Sequence, residues 1–144
     1  MTLVVGLNGS PRRGNSSTLL DEALAAAKSS GAEVLRLDLA SLNISPCRAC
    51  EDCFKDGECV IRDDMDLLYK ALEEADAIIV ASPIYFSGMS SYVKLAVDRS
   101  QALWARRQVL RTPRKPGVGA IMLTAAQPNA KFDNAVSELR DRLS

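Results

Sequence analysis

The chain has no histidine, and its four cysteines all fall within the thirteen residues from Cys47 to Cys59. Without imidazole, every catalytic scheme with a histidine base and every mixed Cys/His zinc site is excluded. Neither sign of charge is in excess. Eighteen basic residues offset eighteen acidic ones, so no global field steers the chain toward nucleic acid or an anionic membrane. No apolar run approaches the ~18 residues of a spanning helix. The start, MTLVVGLN, enters a strand-like run with no charged leader or cleavage site. With 144 residues, 47% of them apolar, the expectation is a single domain over 1–144. A cytoplasmic enzyme or carrier with no nucleic-acid or membrane partner fits these bounds.

What is there alternates between strand and helix periods. Leu3 to Leu7 is a short apolar run, as a strand buried on both faces requires. Residues 16–30 place Leu19, Leu20, Ala23, Leu24 and Ala27 on one helical face, with Gly31 at the stop. A second strand is expected over Ala32–Leu39, and Asp63 or Asp64 caps a helix carrying Met65, Leu68, Leu72 and Ala75. Ala77–Ala81 is a third strand, and Ser90 or Ser91 starts one helix running toward Trp104. A fourth strand follows at Gly117–Thr124, then a helix with Phe132, Val136, Leu139 and Leu143 at helical spacing. This βα alternation predicts an α/β doubly wound parallel sheet with right-handed crossovers and helices on both faces. Ligands in such sheets bind at the carboxyl ends of the strands, which selects loops 8–17, 82–90 and 124–128. The stretch ARRQVLRTPRK holds Arg106, Arg107, Arg111, Arg114 and Lys115 without an acid and reads as a solvated connection.

The loop after the first strand, NGSPRRGNSST, runs straight into a helix, whose N-terminus offers free N–H groups and a positive dipole end. Gly9 and Gly14 let the backbone wrap an anion, and Ser10, Asn15, Ser16, Ser17 and Thr18 surround it with polar groups. Arg12 or Arg13 adds charge-assisted bonds. The loop has neither G-x-G-x-x-G nor a Gly-Lys-Ser/Thr ending, so a monophosphate is expected rather than a dinucleotide or a nucleoside triphosphate. A merely capped polar turn is the alternative, but it has no need of arginine.

After the third strand comes SPIYFSGMS. Pro83 stiffens this turn, and Gly88 is expected to take a φ that other residues resist. Tyr85 and Phe86 offer flat apolar surfaces, either for a ligand or for closing the core at the sheet end.

The cysteines read C-x2-C-x2-C-x5-C. Three uses compete for them. Four thiolates suit zinc, although zinc ligands usually come as two separated pairs. A disulfide or reactive thiol pair is the second use, with Arg48 able to lower a thiol pKa. A 4Fe–4S cluster is the third, favoured by the C-x2-C-x2-C run.

Three segments together resemble a known family. GSPRRGNSSTLL resembles the phosphate loop of the flavodoxin-like NAD(P)H-dependent FMN reductases, and ASPIYFSGMSSYVKLAVDR their isoalloxazine loop and following helix. The cysteine loop at 46–60, followed by VIRDDM, is similar to that of the iron–sulfur flavoproteins within that superfamily. The resemblance implies FMN on Ser10, Arg12, Asn15, Ser16, Ser17 and Thr18, with its ring on Pro83, Ile84, Tyr85, Phe86, Ser87 and Gly88. Backbone amides from Ile84 to Ser87, and Thr124 to Gln127, would meet the polar edge of the ring. It implies a 4Fe–4S cluster on Cys47, Cys50, Cys53 and Cys59, lying near the flavin because both loops leave the same end of the sheet. Ferredoxin or NAD(P)H would then be the electron donor and a small oxidant the acceptor. The alternatives are an NAD(P)H-dependent FMN or quinone reductase without a cluster, and a non-catalytic metal-binding or regulatory module.

The resemblance also implies a flavodoxin-like sheet in the strand order 2-1-3-4, and relatives of this kind continue to a fifth strand. Its apparent absence here gives the expectation of a homo-oligomer covering the edge beside strand 4. In the same family the helix bearing Asp98 and Arg99 packs at a subunit interface; from the sequence alone the two residues read equally as a surface ion pair.

Overall fold

The computed structural model of the chain describes residues 1–143, with side chains through residue 140. Four parallel strands, β1 (Leu3–Asn8), β2 (Glu33–Asp38), β3 (Ala77–Pro83) and β4 (Val118–Thr124), lie in the order β2-β1-β3-β4. The flavodoxin-like topology expected from the sequence is therefore present. The helices are α1 (Asn15–Ser29), α2 (Cys53–Asp56), α3 (Met65–Glu74), α4 (Ser91–Arg99), α5 (Gln101–Gln108) and α6 (Asp133–Leu143).

Two apolar layers flank the sheet. Leu20 and Leu24 of α1 pack on Val4 and Ala81 on one face. The other face buries Val5, Leu7, Ile78 and Val80 against Met65, Leu68, Val93, Ala96, Leu103 and Leu139. β4 is the edge strand in this chain, with residues 118–120 exposed and 121–124 half-buried. No helix among the described residues is long and apolar enough to cross a membrane.

The helix expected from Ser90 to Trp104 is two helices. Ser100 donates its hydroxyl to the Ala96 carbonyl at 2.8 Å, and its N–H is shared between the Ala96 and Val97 carbonyls at 3.0 Å each. Such back-bonding by serine bends a helix, and here it separates α4 from α5. Ser90 caps α4 as expected, accepting from Val93 N–H. At α3 the capping oxygen is Oδ1 of Asp63, which accepts from Met65 N–H at 3.0 Å. In α6 the buried pair is Ala135 and Leu139, while Phe132 is exposed. Leu143 of the expected stripe lies outside the described side chains.

Candidate cofactor sites

The phosphate loop is fixed by close backbone approach. Gly9 donates to the Ala81 carbonyl at 2.7 Å, and its own carbonyl accepts from the Ser90 hydroxyl at 2.7 Å. A Cβ at Gly9 would collide with Val93 Cγ2, so only glycine lets α4 lie this near. Asn8 ties the loop to β2, donating to Asp38 at 2.7 Å while its Oδ1 accepts from Ser10 N–H at 3.2 Å. Burial would raise the pKa of Asp38, but the bonds from Asn8 and Arg36 hold it below the usual carboxylate value.

The hydroxyls of this loop are already engaged. Ser10 donates to the Arg12 carbonyl at 2.9 Å, and Thr18 to the Gly14 carbonyl at 3.1 Å. Buried Ser16 shares a 2.6 Å bond with Thr124, which ties α1 to the end of β4. Buried Ser17 accepts from Arg36 at 2.8 Å. What remains for an anion is backbone. The first intrahelical bond of α1 runs from Thr18 N–H to the Gly14 carbonyl, so the N–H groups of Asn15, Ser16 and Ser17 have no acceptor within the helix. No side chain caps this terminus, and no acid stands in its first turn. The Arg12 guanidinium nonetheless lies against it, with Cζ 3.5 Å from where a Gly14 Cβ would be. A cation laid over the positive end of a helix dipole is unfavourable unless an anion joins them.

Residues Tyr85 to Gly88 form a tight turn, each of these two donating to the other's carbonyl at 2.9 and 3.0 Å. Ile84 N–H donates to Thr124 O at 2.8 Å. The amides of Ile84 and Tyr85 are thus taken, leaving those of Phe86 and Ser87 as the turn's donors. These two residues, rather than Gly88, carry the left-handed φ values of 50° and 65°. The expected role of Gly88 is corrected accordingly, because a two-residue turn of this hand puts the strain on its central pair. Tyr85 and Phe86 are exposed, so neither closes the core.

The cysteine loop leaves β2 through a 3-10 turn at Leu39–Ser41 and passes along α4 and α5. All four cysteines are free thiols and line one open cleft of ≈ 580 Å³, shared with Phe54, Val97, Arg99 and Ala102. Cys47 and Cys50 are exposed, Cys59 is half-buried and Cys53 is buried, which pushes its thiol pKa up. Ala49 and Glu51 hold left-handed φ values of 52° and 62°, and Ala49 N–H points to Cys47 Sγ at 3.5 Å. Strain of this kind in a non-glycine loop, with an amide directed at sulfur, suits an anionic group seated among the thiols. Among the described residues no three Cys, Asp or Glu side chains converge to metal-binding distance. The donors ring the cleft rather than forming a closed cage.

Two arginines hold this loop in place, and the sequence reading assigned neither of them that role. Arg99 is buried, with 1% of its surface exposed, and pairs with Asp63 rather than Asp98. Its Nη1 donates to Asp63 Oδ2 at 2.7 Å and the Ser45 carbonyl at 2.8 Å. Its Nη2 donates to the Ile61 carbonyl at 3.1 Å and Asp63 Oδ1 at 3.2 Å. Asp63 also accepts from Ser45 N–H at 2.8 Å. Burial alone would raise its pKa, but the bonds from Arg99, Ser45 and Met65 keep it below the usual value. Asp98 instead forms an exposed pair with Lys94 at 2.6 Å.

Arg106 grips the other side of the loop. It donates to the Gly57 carbonyl at 2.8 Å, pairs with Glu58 at 2.6 Å, and reaches Glu73 as well. The basic stretch is therefore not simply a solvated connection, since Arg106 is largely buried and Lys115 pairs with Asp76 at 2.6 Å. Gly57 closes α2 in a left-handed conformation, φ 80°, where a Cβ would strike Arg106. Phe54 and Trp104 meet with ring centroids 5.9 Å apart, anchoring α2 to α5.

The cleft does not share a lining residue with the phosphate or ring loops. It lies against Val97–Ala102, and the nine-residue span from Ser90 to Arg99 amounts to roughly 13 Å along α4.

The chain is similar to known proteins in both sequence and fold. The chain is 35% identical over 139 residues to an iron–sulfur flavoprotein of Methanocaldococcus jannaschii, covering 96% of this chain and 69% of the relative. It is 46% identical over 96 residues to an iron–sulfur flavoprotein of Archaeoglobus fulgidus, covering 66% of this chain and 44% of that one. The chain thus spans about two thirds of the first relative's length and under half of the second's. The fold superposes on an apo NADH:FMN oxidoreductase with a TM-score of 0.68 at 20% identity, over 99% of this chain and 68% of that structure. The model of the NADPH-dependent FMN reductase family matches residues 2–144, and the chain belongs to that family and, within it, to the iron–sulfur flavoprotein branch.

Proposed function

We propose that the chain is an FMN-binding redox flavoprotein that exchanges electrons between a 4Fe–4S cluster and FMN and delivers them to a small acceptor. The observation that carries the flavin half is the uncapped, acid-free N-terminus of α1 with Arg12 laid over it. The amides of Asn15, Ser16 and Ser17 bind the phosphate, and Arg12 neutralises it. The exposed Tyr85 and Phe86 provide the flat surface, and the amides of Phe86 and Ser87 address the ring's polar edge. Bound FMN supplies both one- and two-electron chemistry. The thiolates of Cys47, Cys50, Cys53 and Cys59 hold the cluster, with the Ala49 amide bonded to sulfur. Ferredoxin or NAD(P)H is the donor in this reading, and a second copy of the chain covers the exposed edge of β4.

Replacing Arg12 and Ser16 together by alanine tests the flavin assignment. Loss of FMN on gel filtration is expected from a folded chain that is somewhat less stable for want of the Ser16–Thr124 bond; flavin retained at the wild-type level overturns the assignment.

One observation favours a second reading. The open disposition of the four thiols suits an NAD(P)H-dependent FMN or quinone reductase that takes hydride directly and needs no cluster. Iron and sulfide content separates the two. A chain that purifies with neither flavin nor iron is the non-catalytic module.

A further inference from the structure

Arg99 has more capacity than its role as a counter-ion uses. Four of its donor contacts run to the two ends of the cysteine loop: the Ser45 carbonyl on one side, and the Ile61 carbonyl and both Asp63 oxygens on the other. Its Nε–H is buried with no partner. A buried arginine N–H left unpaired carries a desolvation cost, and such groups need an explanation. Arg99 also lines the cleft that the four cysteines surround. Tyr69, which donates to the Arg99 carbonyl at 2.6 Å, holds this turn of α4 against the core. The cation therefore cannot swing out to solvent.

We propose that Arg99 is the positioning residue of the cysteine cleft, closing the neck of the loop and presenting a fixed cationic donor to a negatively charged iron–sulfur group seated among Cys47, Cys50, Cys53 and Cys59. The inference rests on the cluster reading above. Its physics is that of outer-shell groups at metal sites, which orient the ligands and tune the metal through charge and hydrogen bonding. A fixed positive charge stabilises the more negative, reduced state of such a group. Removing it makes reduction harder, which moves the midpoint potential to a more negative value. A purely structural clamp would leave the potential where it is.

The test uses the full chain, reconstituted anaerobically with ferrous iron and sulfide, in three forms. These are wild type, Arg99→Lys, and the double variant Arg99→Gln with Asp63→Asn, which removes the cation lining the cleft together with its carboxylate partner, which does not line it, so that no buried carboxylate is left alone. Bound FMN reports the fold, chelator-resistant iron reports loop closure, and an EPR-monitored redox titration reports the charge. Arg99→Lys keeps the cation but reaches fewer loop acceptors. It should retain FMN and the wild-type potential while losing iron to chelator roughly 10-fold faster. The double variant should keep FMN and either fail to hold iron or hold a cluster of clearly more negative potential. Wild-type potential and iron retention in the double variant overturn the proposal. Should that variant lose FMN as well, Arg99→Lys decides, and iron held as firmly as in wild type overturns it. If wild type itself takes up no iron, the cluster reading has failed and this inference falls with it, an outcome distinct from variants that match a loaded wild type.

Discussion

Residues 9–14 and residues 45–63 leave adjacent strands, yet they are held by different means. The phosphate loop is placed through its own main chain, which short polar side chains grip: the Gly9 amide bonds Ala81, its carbonyl accepts from the Ser90 hydroxyl, and its missing Cβ admits Val93. The cysteine loop is placed by long side chains reaching across the fold, Arg99 and Arg106 from α4 and α5 and Asp63 from the loop's own end. Backbone placement leaves orphan amides free for an anion, and side-chain placement leaves a charged, walled cleft. The difference separates the two candidate cofactor sites, and each can be broken separately.

The largest effect is expected at the ion pair. Asp63→Asn strands a buried guanidinium and should cost about 3–5 kcal/mol, read by urea unfolding at neutral pH. The folded chain holds Asp63 below its usual pKa, so its contribution is complete above the unfolded value of ~3.9 and is lost as pH falls through the lower folded value. The stability gap between wild type and Asp63→Asn should be flat from neutral pH down to about 5 and narrow below about 4. A gap that widens in acid contradicts the pairing.

Next comes Gly9→Ala, expected to cost about 1–3 kcal/mol by overpacking. Val93→Ala in the same chain should recover part of that loss, because Val93 Cγ2 is the atom the new methyl would meet. Additive effects in this cycle would mean the close approach is not what glycine is there for.

Smaller again is Arg12→Ala. It should weaken FMN about tenfold in a fluorescence titration, about 1.4 kcal/mol, with unfolding almost unchanged. Arg99→Lys should leave FMN affinity alone, which sharpens the contrast between the two regions. The smallest effect belongs to Lys94→Ala. Its pair with Asp98 is half in solvent and is worth under about 0.5 kcal/mol.

Sequence reading recovered what short-range pattern encodes. The apolar runs Leu3–Leu7 and Ala77–Ala81 and the helical spacing of Leu20 and Leu24 mark the strands and α1, while the sheet order followed from the family resemblance. The glycine- and serine-rich loop suggested hydroxyls as anion donors, but those hydroxyls serve the fold, and the amides at the start of α1 are the groups left open. Arg99 was visible in principle. It stands three residues beyond Ala96, on the buried face of its helix, where a charge demands a partner. That the partner would be Asp63, 36 residues away, depends on where the cysteine loop turns, and no local pattern sets that. The strain at Phe86 and Ser87 was equally hidden, because glycine beside them drew the expectation of positive φ onto the wrong residue.

The central claim is that this chain carries two separable cofactor sites, one built from main chain and one from thiols. Its most direct test is the flavin, iron and sulfide content of the anaerobically reconstituted chain beside that of Cys50→Ala, whose thiol is exposed and adds nothing to the core. The account predicts FMN, iron and sulfide together in wild type, and FMN alone in Cys50→Ala. Iron absent from wild type, or flavin lost along with iron in the variant, would contradict it.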